Sequence, residues 1–232
     1  MQPAFVLHRW PFQDSSYMVE MFSAQHGRFR LIAKGARRPK SRWSACLQPF
    51  TPLLISSRGR HELQTLVHAE ASGDAYHLRG DCLYSGFYVN ELVQRLTALY
   101  QPLDGLFTDY QQTLHLLSEA TQVEPILRRF EWQLLDHLGH HFDWLHDSAG
   151  DGISATGYYQ FSAHIGFVRQ LEMSPGAFEG QVILRLSQFD LSDAHCLQAM
   201  KRIMRMALQP YLGDQPLRSR QLFHSLIATK DS

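Results

Sequence analysis

The sequence predicts an α+β protein in which a small N-terminal β-barrel precedes a mainly α-helical domain. Over the first eighty residues, apolar and polar side chains alternate in short runs between turn residues, which is typical of β-strands. After Gly73-Asp74 the apolar residues recur every three to four positions, which is the spacing of amphipathic helices. We place the barrel in residues 1–79 and the helical domain in residues 80–232.

Five strands are predicted in the barrel. They lie in the runs AFVLH, YMVEMFSA, RFRLIAKG, LQPFTPLLIS and ELQTLVHAEA, with a turn at His26-Gly27. Pro49 and Pro52 confine the fourth run to an edge or a bulge, because proline donates no hydrogen bond to a β-ladder. Five short strands suit an OB-fold, and an SH3-like barrel is the alternative.

Helices dominate the rest of the chain. Three are predicted in LYSGFYVNELVQRLTALY, LDGLFTDYQQTLHLLSEA and PILRRFEWQLLDHLG. The period is lost at about residues 146–180, where YYQFS and GFVRQL predict a short hairpin. SDAHCLQAMKRIMRMAL then predicts a helix with Ser192 as its N-cap, and RSRQLFHSLIA a terminal helix.

The formal net charge of zero conceals an asymmetry between the two parts. Residues 1–79 contain eleven Lys and Arg against five Asp and Glu, whereas residues 80–232 contain eleven against seventeen. Five cations lie in the stretch KGARRPKSR, namely Lys34, Arg37, Arg38, Lys40 and Arg42. A basic N-terminal unit of this kind indicates binding to a polyanion.

Alternation along RFRLIAK extends this basic stretch onto a strand. Phe29, Leu31 and Ala33 share one face, and Arg28, Arg30 and Lys34 share the other. Trp43 closes the basic stretch, and Trp10 and Phe12 are placed in a loop after the first strand. Cations that follow phosphates, beside aromatic rings that stack on bases, are typical of single-stranded nucleic acid binding. A solvated loop and buried aromatic rings are the alternatives.

Two further candidate sites lie in the helical part. Arg128 and Arg129, with Leu127 and Phe130 beside them, indicate either a grip on a carboxylate or salt bridges to Glu124, Glu131 or Asp136. On the later helix, the side opposite the apolar stripe forms a second basic surface or a solvated helix face. Its cations are Lys201, Arg202 and Arg205.

Catalytic and cofactor motifs are missing from the sequence. It has no GxxxxGK[ST], GxGxxG or GxSxG motif, and its three cysteines are too scattered for a disulfide framework or a zinc knuckle. We therefore predict no enzyme, cofactor or metal, and a metal-dependent enzyme using the histidines between His137 and His146 is an alternative. Since no apolar run nears the length of a membrane span, we expect no membrane contact. The few, scattered cysteines favour a reducing cytoplasm, and we expect a cytoplasmic, nucleoid-associated location.

The order of several segments resembles the RecO family of bacterial recombination mediators almost end to end. These are LIAKGAR, LQPFTPLL, LYSGFYVNEL, ILRRFEWQLLDHLG and KRIMRMALQPYLGDQPLRSRQLF. The resemblance implies an N-terminal OB-fold, a non-enzymatic function, binding to single- and double-stranded DNA, and annealing of complementary strands. It also implies contact with the acidic C-terminal tail of single-stranded DNA-binding protein and partnership with RecR in loading RecA, with a part for RecF left open.

By position, the resemblance also assigns candidate sites. The DNA-binding barrel surface comprises Arg28, Arg30, Lys34, Arg37, Arg38, Lys40 and Arg42. Arg128 and Arg129 become candidates for the tail's carboxylates, with Leu127 and Phe130 as walls of the groove. Some members of the family carry four zinc-binding cysteines in the central region, whereas residues 140–180 here contain none, so a metal-free hairpin is expected. An adaptor whose barrel binds an acidic protein is the alternative function.

Overall fold

A computed structural model describes residues 1–43, 45–59 and 63–219, with the side chain of Leu63 left out. The chain divides into two compact units. One consists of Met1–Val123 with the segment from Pro216 onwards, and the other of Glu124–Gln215. Most of the predicted terminal helix RSRQLFHSLIA lies outside the described residues.

The first unit contains a closed five-stranded barrel. Its strands are β1 (Gln2–Phe12), β2 (Ser16–Ser23), β3 (Gly27–Ala33), β4 (Leu53–Arg58) and β5 (Leu63–Ala71). They close in the order β1-β2-β3-β5-β4, and only the β3–β5 pairing among these named strands is parallel. The predicted OB-fold is confirmed. The fourth strand begins after Pro52, so both prolines precede it, and the first half of the run LQPFTPLLIS is not part of β4.

The barrel interior is built by alternation. Val19 and Met21 of β2 and Phe29 and Leu31 of β3 are fully buried, and β3 alternates buried and half-buried residues along its whole length. Each such side chain contributes about 1.5–3 kcal/mol to the stability of the fold. The predicted division of β3 into an apolar and a basic face is therefore correct.

A β-bulge interrupts this alternation in β1. Ala4 and Val6 belong to the barrel core, and the pairing of β1 with β2 shifts register between Val6 and His8. A bulge adds one residue to a strand and so reverses which side chains point inward. Trp10 consequently lies opposite Met18, which faces away from the core, while the Arg9 guanidinium lies 5.2 Å from the centre of the Tyr17 ring.

Two helices of the first unit cover one end of the barrel's outer face. They are α1 (Asp81–Leu96) and α2 (Leu106–Glu119). Phe5 of β1 points outward, and its ring centre lies 5.7 Å from that of Phe107 and 5.2 Å from that of Tyr110. The Tyr110 hydroxyl donates to Asn90 Oδ1 at 2.7 Å, and burial raises the pKa of Tyr110.

The second unit combines helices with a small antiparallel sheet. Its elements are α3 (Glu124–His137), β6 (Tyr158–Ser162), β7 (Gly166–Gln170), β8 (Phe178–Glu179), α4 (Gly180–Ser187) and α5 (Ala194–Leu212). The sheet order β7-β6-β8 confirms the predicted hairpin and adds a strand to it. The predicted N-cap Ser192 is wrong, because the Asp193 side chain accepts the hydrogen bond from the Cys196 amide at 2.8 Å. No helix among the described residues is both long and apolar enough to cross a bilayer.

Candidate nucleic-acid interface

The outer face of β3 carries two arginines that share one carboxylate. Arg28 Nη1 lies 2.7 Å from Glu20 Oε1, and Arg30 Nε lies 3.1 Å from Glu20 Oε2. Arg28 Nε also donates to the Thr97 carbonyl oxygen at 3.1 Å, and the Arg28 side chain is only 11% exposed. Arg30 remains 41% exposed. The Arg28 guanidinium is therefore bound within the molecule, whereas the Arg30 guanidinium remains accessible to a ligand.

The basic loop, residues 34–42, directly follows β3. Ala36 is buried in the barrel core, and the Arg37 amide donates to the Ser15 carbonyl at 2.9 Å, so the middle of the loop is anchored. Its five cations are exposed: Lys34, Arg37, Arg38, Lys40 and Arg42. Arg37 and Arg42 donate to backbone carbonyls, those of Gln13 and Val67. Within the described residues none of the five cations forms an ion pair, so the loop is a concentrated positive surface.

Trp43 anchors the end of the basic loop. Its side chain is 5% exposed and belongs to the barrel core, and its Nε1 donates to the Lys34 carbonyl at 3.2 Å. The Arg42 guanidinium lies 4.1 Å from the centre of the ring. Trp43 thus behaves as the buried aromatic that the sequence left as an alternative, and it presents no open ring face to a base.

Trp10 and Phe12 lie on β1, so their predicted position in a loop is wrong. Both are half-buried on the outer face, because the bulge reverses the alternation after Val6. The His8 ring stacks on Trp10 with centres 5.5 Å apart, and the Arg30 guanidinium lies 5.6 Å from the Trp10 ring centre. A half-buried aromatic ring therefore lies beside the exposed Arg30, and it is Trp10, whereas the ring beside Arg42 is the buried Trp43.

His8 adds an imidazole ring to this group. Burial lowers its pKa from the ordinary value near 6.5, the charge of Arg218 lowers it further, and Glu20 opposes both effects. The lowered pKa favours the neutral imidazole at pH 7.

The predicted tail-binding residues on α3 point in different directions. Arg128 is 6% exposed and pairs with Glu131 at 2.8 Å, one turn along the helix. Arg129 is exposed, and its guanidinium lies 4.6 Å from the centre of the Phe189 ring. Leu127 is half-buried, whereas Phe130 is fully buried. Arg128 thus forms the salt bridge to Glu131 that the sequence offered as an alternative. Arg129, which is exposed, is the arginine that a partner can reach.

The cations on α5 are also unequal. Lys201 forms an ion pair with Glu124, and Arg202 lies over the Phe178 ring at 3.8 Å while donating to the Ala177 carbonyl at 3.3 Å. Arg205 is exposed. A cavity of about 300 Å³ adjoins these three residues, and its lining also includes Phe178, Val182, His195 and Ala199. The predicted second basic surface is thus the partly neutralised rim of a cavity whose lining combines apolar residues with polar ones, Glu179 among them.

Two histidines after α3, His141 and His146, lie beside acidic neighbours. His146 Nδ1 lies 2.9 Å from Asp143 Oδ2, and hydrogen bonds from the Leu145 amide and from His146 lower the pKa of Asp143. His141 lies 3.9 Å from Asp136. In the part of the chain that the structure describes, no three His, Cys, Asp or Glu side chains converge as metal ligands.

Comparison with known proteins accounts for nearly the whole chain. Residues 1–73 match the family described as Recombination protein O N terminal, and residues 77–221 match Recombination protein O C terminal. The chain belongs to the RecO family. The RecO resemblance inferred from the segments is confirmed, and with it membership of a family of DNA repair proteins.

Relatives from several bacteria carry the name DNA repair protein RecO. The relative from Idiomarina loihiensis is 45% identical over 226 residues, which cover 96% of this chain and 97% of that protein. The relative from Actinobacillus pleuropneumoniae serotype 7 is 44% identical over 228 residues, covering 97% and 95%. The relative from Haemophilus influenzae is 44% identical over 224 residues, covering 96% and 95%.

Proposed function

We propose that this RecO-family chain is a recombination mediator that binds single- and double-stranded DNA on the outer face of its barrel. The basic loop is the main observation that supports this proposal. Its five exposed cations have no carboxylate partner among the described residues, and Arg30 extends the same positive surface onto β3. A positive surface of this kind binds DNA by replacing the counterions that otherwise surround the phosphates.

Strand annealing follows from the same electrostatics. Two complementary strands repel each other through their phosphates, and cations that neutralise both strands at once lower that repulsion. We therefore propose that the barrel anneals complementary strands and, with RecR, helps to load RecA onto DNA coated by single-stranded DNA-binding protein. In this scheme RecF is an optional partner.

We further propose that the second unit holds the acidic tail of single-stranded DNA-binding protein. One candidate site is Arg129 with the half-buried Leu127 beside it. The other is the cavity next to α5, where Arg205 borders a lining that includes the apolar residues Val182 and Ala199. Either place offers a cation for a carboxylate and an apolar surface for a neighbouring side chain.

A salt titration tests the DNA-binding proposal. The affinity of the purified protein for a labelled oligothymidylate should fall steeply as salt is added, with a log–log slope of about 0.7 per neutralised phosphate. Fluorescence anisotropy measures this affinity directly. A flat salt response, or no oligonucleotide binding together with binding of an acidic protein, would favour the adaptor function instead.

A further inference from the structure

We propose that Trp10, with His8 and Arg30 beside it, forms a stacking site for one unpaired nucleobase. The inference rests on the proposed DNA binding and identifies where on the barrel a base, as distinct from a phosphate, is held. The positive surface by itself explains contact with the backbone of any nucleic acid. A stacking site would add a contact that only an unpaired base can make.

The register of the sheet fixes where these three side chains lie. His8, Glu20 and Arg30 lie opposite one another in one row across β1, β2 and β3. Trp10 occupies the next row, opposite Met18, which in turn lies opposite Ile32. Both polar neighbours of Trp10 therefore come from the same adjacent row.

The surroundings of the ring favour a planar, partly apolar ligand. Met18 and Ile32 are half-buried and form an apolar strip in the row of Trp10. The buried Glu20 carboxylate holds Arg30, so the guanidinium near the ring is already ordered before any ligand binds. His8 contributes a ring whose lowered pKa favours the neutral form at pH 7. A nucleobase, which has a π-face and polar edges, matches an aromatic ring with a fixed cation beside it.

The basic loop lies at the right place for the phosphates of the same strand. Lys34 is exposed and directly follows the end of β3, two residues after Ile32, so the basic loop begins next to the row of Trp10 along the chain. Along the chain, exposed cations therefore precede and follow Ile32, which lies in the row of Trp10: Arg30 is two residues before it and Lys34 two residues after it. A single strand crossing this face would place its phosphates on the cations and one base on the Trp10 ring.

Two substitutions test the site. Trp10→Ala should weaken binding to oligothymidylate by roughly 5- to 150-fold, the range that loss of one base–aromatic stack gives. Trp10→Phe should retain most of the affinity, because it keeps a ring. The salt slope of both variants should stay at the wild-type value, and duplex affinity should change less than twofold, since neither depends on an unpaired base. Ile165→Ala, which trims an exposed apolar residue between β6 and β7, is the matched control.

The outcomes separate the two proposals. If the wild type binds oligothymidylate and Trp10→Ala binds equally well, or loses duplex affinity to the same extent, the stacking site is refuted and the DNA-binding proposal stands. If the wild type binds no DNA, the proposed function fails first. Should Trp10→Ala not fold, quenching of tryptophan emission by saturating oligothymidylate is compared between the wild type and Trp10→Phe. Quenching lost in Trp10→Phe supports the site, and equal quenching refutes it.

Discussion

The basic loop and the helices of the second unit contain similar cations but present different surfaces. The five cations of the basic loop form no ion pair among the described residues, whereas on the helices Arg128 pairs with Glu131 and Lys201 with Glu124. Arg185 likewise pairs with Asp190 at 2.8 Å. The difference teaches that a run of Lys and Arg predicts a positive surface only when no carboxylate is within reach.

Spacing explains part of this contrast. On a helix, residues three or four apart lie on the same side, so Arg128 contacts Glu131, which lies three residues further along. The basic loop, KGARRPKSR, contains no acidic residue at all. A carboxylate on an adjacent strand can also neutralise a cation, as Glu20 of β2 does for Arg28 of β3.

The largest effect is expected from removing the Glu20 carboxylate, which pairs with both Arg28 and Arg30. Glu20→Gln should leave Arg28 buried without its carboxylate and destabilise the protein by about 3–5 kcal/mol. Chemical denaturation monitored by circular dichroism measures this change.

Lys201→Ala is the matched control for this experiment, because the Lys201–Glu124 pair is nearly half exposed. Loss of an exposed ion pair should cost no more than about 1 kcal/mol. Equal destabilisation by the two substitutions would contradict a structural role for the Glu20 cluster.

The basic loop gives the next largest effect. Replacing Lys34, Arg37, Arg38, Lys40 and Arg42 together with Ala should weaken oligothymidylate binding by roughly 100-fold or more at low salt. The salt slope should fall by up to about 3.5, at 0.7 for each of five phosphates.

Stability should be close to that of the wild type, since the five side chains are exposed and Trp43 still anchors the loop. Anisotropy across a salt series provides both the affinity and the slope. An unchanged slope would show that the loop does not contact phosphates.

The smallest of these effects distinguishes the two candidate tail sites. Arg129→Ala or Arg205→Ala should weaken binding of an acidic C-terminal peptide by roughly 10-fold, the loss expected for one hydrogen bond to a charged group. Calorimetric titration with the peptide identifies which arginine is involved.

Both variants should bind oligothymidylate like the wild type, so each reports on the peptide alone. If peptide affinity is normal in both, neither site holds the tail.

The sequence alone determined most of the strands and helices, the two faces of β3 and the basic loop, but it missed β8 and α4. These follow from local alternation, helical period and turn residues, which act over a few neighbouring positions. The resemblance of five segments to the RecO family could likewise be recognised without a structure, and the family matches confirm that resemblance.

Only the tertiary structure decided which of the predicted site residues are available to a ligand. The bulge after Val6 turns Trp10 outward, whereas unbroken alternation from Ala4 and Val6 would have placed it in the core. Trp43 is buried because the basic loop folds back so that its indole donates to the Lys34 carbonyl. Glu20 captures Arg28 from the neighbouring strand, a pairing set by sheet register. Exposure and pairing between strands depend on residues brought together by the fold, and no local pattern encodes them. The Arg128–Glu131 pair, three residues apart on one helix, is the kind of pairing that local spacing does predict.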